Sequence, residues 1–176
     1  MWGNEHPGEI FTCSNIGNRV FQKLGERRVV SGDVLYPVEH TETKNIVVIG
    51  HTGCEAVEAA YRSLEESLDE PDGIEYCVES LGSIIERAIE EVPDDISEEK
   101  TINMLVEKNV DKQIEILARS PDIPDNVDIV GVVYDFQDVY SGSKGECHVI
   151  NVNGEESADQ IRERHPAIQD RVERLT

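Results

Sequence analysis

Residues 45–50 read NIVVIG, a run of β-branched and apolar residues broken by nothing charged. A strand with one wet face alternates apolar with polar residues, whereas an unbroken run is the pattern of a strand covered on both faces. A second run, DIVGVVYDF at 128–136, repeats the signal. Segments with helical spacing lie between them. Val57, Ala60, Tyr61 and Leu64 form a stripe in 54–68, and Ile74, Val78, Leu81, Ile85 and Ile89 form one in 74–92. Ile102, Leu105, Val106, Val110, Ile114 and Leu117 do the same in 98–119. Strands separated by helices predict an α/β fold, a mainly parallel β-sheet flanked by helices. GECHVINV at 145–152 alternates and is expected as an edge hairpin strand. A short strand is expected at 10–13. A helix is expected at 31–41, capped by Ser31 or Asp33, with Pro37 awkward outside its first turn. Residues 153–176 read as a polar, weakly helical tail, and 1–176 as a single domain.

The chain has 37 acidic against 16 basic residues, a formal net charge of −21. Such a chain repels nucleic acid and anionic membranes. No apolar run reaches membrane-spanning length, and the first residues lack the pattern of a secretory signal, so a cytoplasmic location is expected. The acidic excess is spread along the chain and lysine is scarce, six against ten arginines. That balance suits a halophilic protein, whose self-repulsion is screened by salt. Cys13, Cys54, Cys77 and Cys147 show no disulfide framework and read as free thiols or metal thiolates.

The 45–50 run leads into His51 and Cys54. In open parallel sheets, chemistry collects at the carboxyl ends of the strands. Cys54 falls where a helix begins, and a helix N-terminus favours the thiolate. Imidazole and thiolate are preferred zinc ligands, but a site needs at least three protein donors. On spacing alone, a helix-capping turn with a buried cysteine remains open.

NIVVIGHTGCEAV resembles the second metal motif of β-class carbonic anhydrases, a buried strand ending in G-H-[ST]-x-C. PGEIFTCSNIGNRV is similar to the family stretch ending in R-N-A-G-N, with Ser14, Asn15, Ile16, Gly17 and Asn18 in those places. SGDVLYPVEHTETKN resembles the helix leading into the zinc strand. EKNVDKQIEILARSPDI and VGVVYDFQDVYSGSKGECHVINV resemble the N-V-x-x-Q helix and the G-x-x-Y-D strand with its hairpin. The resemblance implies a zinc lyase interconverting carbon dioxide and bicarbonate, with His51 and Cys54 as zinc ligands and Asn15, Gly17, Asn18 and Gly53 lining the site. It implies a homodimer or higher homo-oligomer, and a metal that brings bound water to a pKa of ~7.

The family's first metal motif, C-x-D-x-R, is missing, and with it the third ligand and the catalytic Asp–Arg dyad. Ser14 replaces an arginine, and Glu55 replaces a common glycine. The expectation is that Met1 is an internal methionine of a longer parent carrying that motif. Cys13 is a substitute ligand only if the sheet closes over a gap of roughly 9–10 Å, two strand spacings, or a loop swings round. His6 could also reach the site. His148 and Cys147 are expected to be structural or exposed, and Cys77 a small core residue. Two other functions stay open: an inactive zinc- or anion-binding homologue, and a thiol or redox protein using Cys13 and Cys54.

Overall fold

The computed structural model describes residues 8–176. In chain order the elements are β1 (Phe21–Leu24), β2 (Arg27–Val30), α1 (Gly32–His40), β3 (Asn45–His51), α2 (Glu55–Arg62) and α3 (Asp72–Ala88). They continue with α4 (Glu98–Ala118), β4 (Asp128–Tyr134), β5 (Cys147–Val152) and α5 (Ala158–Arg164). Short 3-10 turns lie at Ile16–Asn18, Ile89–Glu91 and Pro166–Arg171. The main sheet has the order β3-β4-β5. β3 pairs parallel to β4, with Gly50 opposite Val133 and His51 opposite Tyr134. β5 returns antiparallel to β4, as a hairpin strand should. The α/β sheet flanked by helices is therefore present, with one parallel and one antiparallel pairing among the described residues.

The helix α4 is the centre of the packing. Its Val106, Val110 and Ile114 are buried against the sheet. Two glycines let it approach: a Cβ at Gly50 would lie 2.8 Å from Val110 Cγ2 and 3.0 Å from Val106 Cγ1. At Gly131 the nearest atoms would be Ile114 Cδ1 at 2.6 Å and Val110 Cγ1 at 2.8 Å. Gly50→Ala is expected to force α4 off the sheet and cost about 1–3 kcal/mol, as overpacking does; chemical denaturation would measure it. The helices α2 and α3 cover the far side of α4, with Leu81, Ile85 and Leu105 fully buried among them.

The structure changes one reading of the 45–50 run. Val48 and Gly50 lie buried under α4, but Val47 is 48% and Ile49 36% exposed. β3 is an edge strand of the described sheet, and only its α4-facing side is covered. On the other face, α5 and the Pro166–Arg171 turn cover the β4–β5 half through Ile161, Ile168 and Val172. The apolar run thus reflects one covered face and one apolar uncovered strip.

Residues 10–13 form no strand. Among the described residues no neighbouring strand takes their backbone groups, and Ile10 and Phe11 are exposed. Pro37 sits well inside α1 rather than in its first turn. Having no N–H, it leaves the Asp33 carbonyl without its helical donor, and the Cys13 thiol donates to that oxygen at 3.0 Å. Ser31 is the cap of α1. The helix expected over 54–68 stops at Arg62, where the Ser63 hydroxyl takes the Ala60 carbonyl; Glu65 and Glu66 beyond it disfavour continuation, because they would face the negative helix end. The β1–β2 hairpin was not anticipated. Its signal is Gly25, which turns the chain at a φ of 60°.

Candidate metal centre

The parallel register with β4 carries His51 to the carboxyl edge of the sheet, and α2 starts four residues later. The turn between them needs Gly53, whose φ is 64° and whose Cβ would meet Gln137 at 2.7 Å. Cys54 is the N-cap of α2 and is 6% exposed. Its thiol and the His51 ring lie near enough for each to shift the other's proton affinity. The neighbouring Cys54 thiol, chiefly, raises the pKa of His51 above the ordinary imidazole value. Burial alone would push the Cys54 thiol up, but the His51 contact and the Val57 and Ala56 amides outweigh it and bring the thiol below its ordinary value. This pairing of an imidazole with a thiolate-prone sulfur is what a zinc site draws on. The other ring nitrogen, Nδ1, lies 3.1 Å from the Thr52 carbonyl. A backbone carbonyl there assigns the proton to Nδ1 and leaves Nε2 as the free donor pair.

A polar network that sequence reasoning missed holds the turn from behind. The Thr52 hydroxyl donates to Asp135 Oδ1 at 3.2 Å and accepts from the Phe136 and Gln137 amides at 2.8 and 3.1 Å. Asp135 is 1% exposed and accepts from the amides of Gln137, Asp138, Val139 and Tyr140. Burial alone would raise its carboxyl. These amides and the Thr52 hydroxyl reverse that and hold it below the usual carboxylate range. Asn103 on α4 accepts from the Gly53 amide at 2.9 Å and donates to Gln137 at 2.9 Å. The visible signal was an aspartate directly after a strand, in YDFQD, which favours a side-chain-to-backbone turn. Phe136 is 52% exposed and stacks edge-on against His51, with centroids 5.4 Å apart.

The remaining sequence candidates are held as follows. The Asn15 amide closes on the backbone of Arg19 at 2.8 and 2.9 Å and so organises its own turn. Gly17 is buried against Leu81, where a Cβ would come within 2.4 Å of Cδ1, and its carbonyl accepts from Asn109. Asn18 has a φ of 42°, accepts from Asn109, and leaves its buried Nδ2 without a partner. The turn holding Gly17 and Asn18 packs against β3, α2 and α3. Cys13 is committed to Asp33, and burial first, then the Asp33 charge, raises its pKa. It is an exposed thiol poorly suited to be a thiolate, and the structure does not bring it to Cys54 in a metal-holding group. All four cysteines are free. Cys77 accepts from Arg19, and His148 is buried and stacked on Tyr140 at 4.2 Å. His6 lies outside the described residues.

Among the described residues, no third His, Cys, Asp or Glu joins the pair to form a metal-holding group. The donors fit zinc in kind and fall one short in number. A cleft of about 560 Å³ lies between α3, α4 and the turn after β5, and neither His51 nor Cys54 lines it. A smaller one of about 230 Å³ reaches the back of the turn at Gly53 and Gln137. No described helix is long and apolar enough to cross a membrane.

Residues 1–146 match the family profile described as carbonic anhydrase. Among solved structures, the chain is similar to tetrameric β-carbonic anhydrases from the filamentous ascomycete Sordaria macrospora. That match has 21% identity and a TM-score of 0.63 over 83% of this chain and 70% of that one. The β-carbonic anhydrase CcaA is similar at 19% identity and a TM-score of 0.64, over 83% of this chain and 69% of that one. A Coccomyxa β-carbonic anhydrase, determined with acetazolamide, is similar at 18% identity and a TM-score of 0.62, over 95% of this chain and 75% of that one. At these identities, the structural likenesses establish the fold. No curated protein sequence gives a significant match.

Proposed function

The chain belongs to the β-class carbonic anhydrase family, and from that premise we propose that it serves the reversible hydration of carbon dioxide to bicarbonate as a zinc lyase. His51 and Cys54 are two of the metal's ligands in this reading, and the third donor comes from outside residues 8–176. The single observation that carries it is the placement of His51 at the end of β3 and of Cys54 at the start of α2, together at the carboxyl edge of the sheet. The residues of the chain orient these donors: the Thr52 carbonyl sets the imidazole tautomer, and Asp135 and Asn103 hold the turn. No catalytic step is assigned to a metal held by residues 8–176 alone, because their donor set is incomplete.

Self-association belongs to the same reading. Val47, Ile49 and Phe136 leave an exposed apolar strip beside His51, and the similar Sordaria macrospora enzymes are tetrameric. A second reading, a zinc-binding homologue without catalysis, is favoured by the missing third donor.

Zinc titration against a competing chelator, with carbon dioxide hydration assayed in parallel, tests both. The expected result is stoichiometric zinc uptake that Cys54→Ser weakens at least about a hundredfold, more than the loss of a supporting group would. Hydration that tracks zinc supports the lyase, and zinc without hydration supports the second reading. A chain that takes up no zinc, or takes it up equally after Cys54→Ser, overturns both.

A further inference from the structure

The family match ends at residue 146, yet residues 172–176 beyond it are fastened to β5, α4 and the loop after β4. Val172 is 2% exposed and bridges to Val149 beside β5. The Glu173 carboxylate accepts from the Ser141 amide at 2.9 and 3.2 Å and from the Ser141 hydroxyl at 2.6 Å. Arg174, whose side chain is 6% exposed, grips Asp111 on α4 with two nitrogens at 2.7 and 3.2 Å and the Ile150 carbonyl at 2.7 Å. The amides of Leu175 and Thr176 donate to Glu107 at 2.9 and 3.1 Å.

Glu107 is the joint. Its side chain is fully buried on α4. One oxygen, Oε1, takes both the Leu175 amide and the Tyr140 hydroxyl, the latter at 2.8 Å. Tyr140 ends the amide series wrapped on Asp135, and Asp135 holds Thr52 between His51 and Cys54. An unbroken path of buried polar contacts therefore runs from 172–176 through Glu107 and Tyr140 to the back of the candidate metal turn. A second path runs through Glu173 and Ser141 to the same loop.

We propose that residues 172–176 are a strap that holds loop 135–141 in place, and through it the turn carrying His51 and Cys54, so that docking or release of the strap sets the order of the site. The strap cannot leave silently. Releasing it strips Glu107 of the Leu175 and Thr176 amides, the Thr176 hydroxyl and Arg174, and takes from Asp111 its bidentate partner; buried charges left so are costly. Water and disorder must then enter at Tyr140 and spread to Asp135. The Arg174–Asp111 pair is buried, so salt screens it far less than the surface pairs, and the strap holds in high salt. The functional consequence rests on the reading of His51 and Cys54 as the site, which zinc titration of the unaltered chain tests separately; the mechanical coupling does not.

Amide hydrogen exchange of the full chain, without metal, tests the coupling. Arg174→Met is expected to speed exchange at 52–54 and 135–141 at least about tenfold, as a sub-global opening, while α3 and the β3–β4 pairing stay protected. Glu173→Gln, a milder change at a partly exposed position, is expected to give the same pattern at smaller amplitude, and it decides the matter if Arg174→Met does not fold. Acceleration confined to 172–176, or spread evenly over the whole chain, overturns the proposal.

Discussion

Asp135→Asn is expected to lower folding stability by about 3–5 kcal/mol, because several charge-assisted hydrogen bonds of about 1.5–3 kcal/mol each are lost without adding fully. The carboxylate accepts from four consecutive-loop amides and one hydroxyl, and the substituted amide turns an –NH₂ toward donors that need an acceptor. Thr52 loses its anchor at the same time, so the candidate metal turn loosens with the loop. The change also has a pH signature. The folded-state pKa of Asp135 is depressed, so its stabilisation is fully present above the unfolded value of about 3.9 and is lost as pH falls through the folded value. Urea midpoints measured from neutral to acid pH should therefore fall less steeply for Asp135→Asn than for the parent. A parallel acid limb in the two proteins would show that the Asp135 charge does not hold the loop.

Glu107→Leu is expected to cost a similar amount, about 3–5 kcal/mol, the range for breaking a buried ionic network by removing one member. It takes the acceptor from the buried Tyr140 hydroxyl and from the part-buried amides of Leu175 and Thr176. The pH dependence runs opposite to that of Asp135. Burial, the largest influence, raises the Glu107 pKa despite Arg174, the Leu175 amide and Tyr140. Its favourable contribution is thus complete below the unfolded value of about 4.3 and is lost as pH rises through the folded value. Glu107→Gln keeps an acceptor, removes the titration, and should flatten that loss of stability above about pH 4.3. Equal slopes in the Gln variant and the parent would contradict the assignment.

The two effects show why the polar residues of α4 matter beyond packing. Asn103, Glu107 and Asp111 recur every four residues on one side of the helix, and Asn109 and Gln113 on another. Each is buried and each fastens a different segment. Asn103 holds Gly53, Glu107 holds Tyr140 and 175–176, and Asp111 holds Arg174 and Asn151. Asn109 holds the turn at Gly17, and Gln113 the Val20 amide. Read as a sequence, α4 is an apolar stripe with polar residues that look solvated. The polar residues are instead the sockets into which the loops plug, because α4 is covered on nearly every side.

Local signals in the sequence determined the helices, the two apolar strands, the return of β5, and the placement of His51 and Cys54 at a strand end before a helix. Hydrophobic period and the strand-to-helix transition are written in consecutive residues, so they survive without tertiary knowledge. Only the tertiary structure decided which face of β3 is covered, that the Cys13 thiol reaches the carbonyl freed by Pro37, and that Asp135 and Glu107 stand behind the candidate site. Those outcomes depend on contacts between residues tens of positions apart, where a buried donor takes whichever acceptor the fold brings to it, and no spacing rule in the chain encodes that meeting.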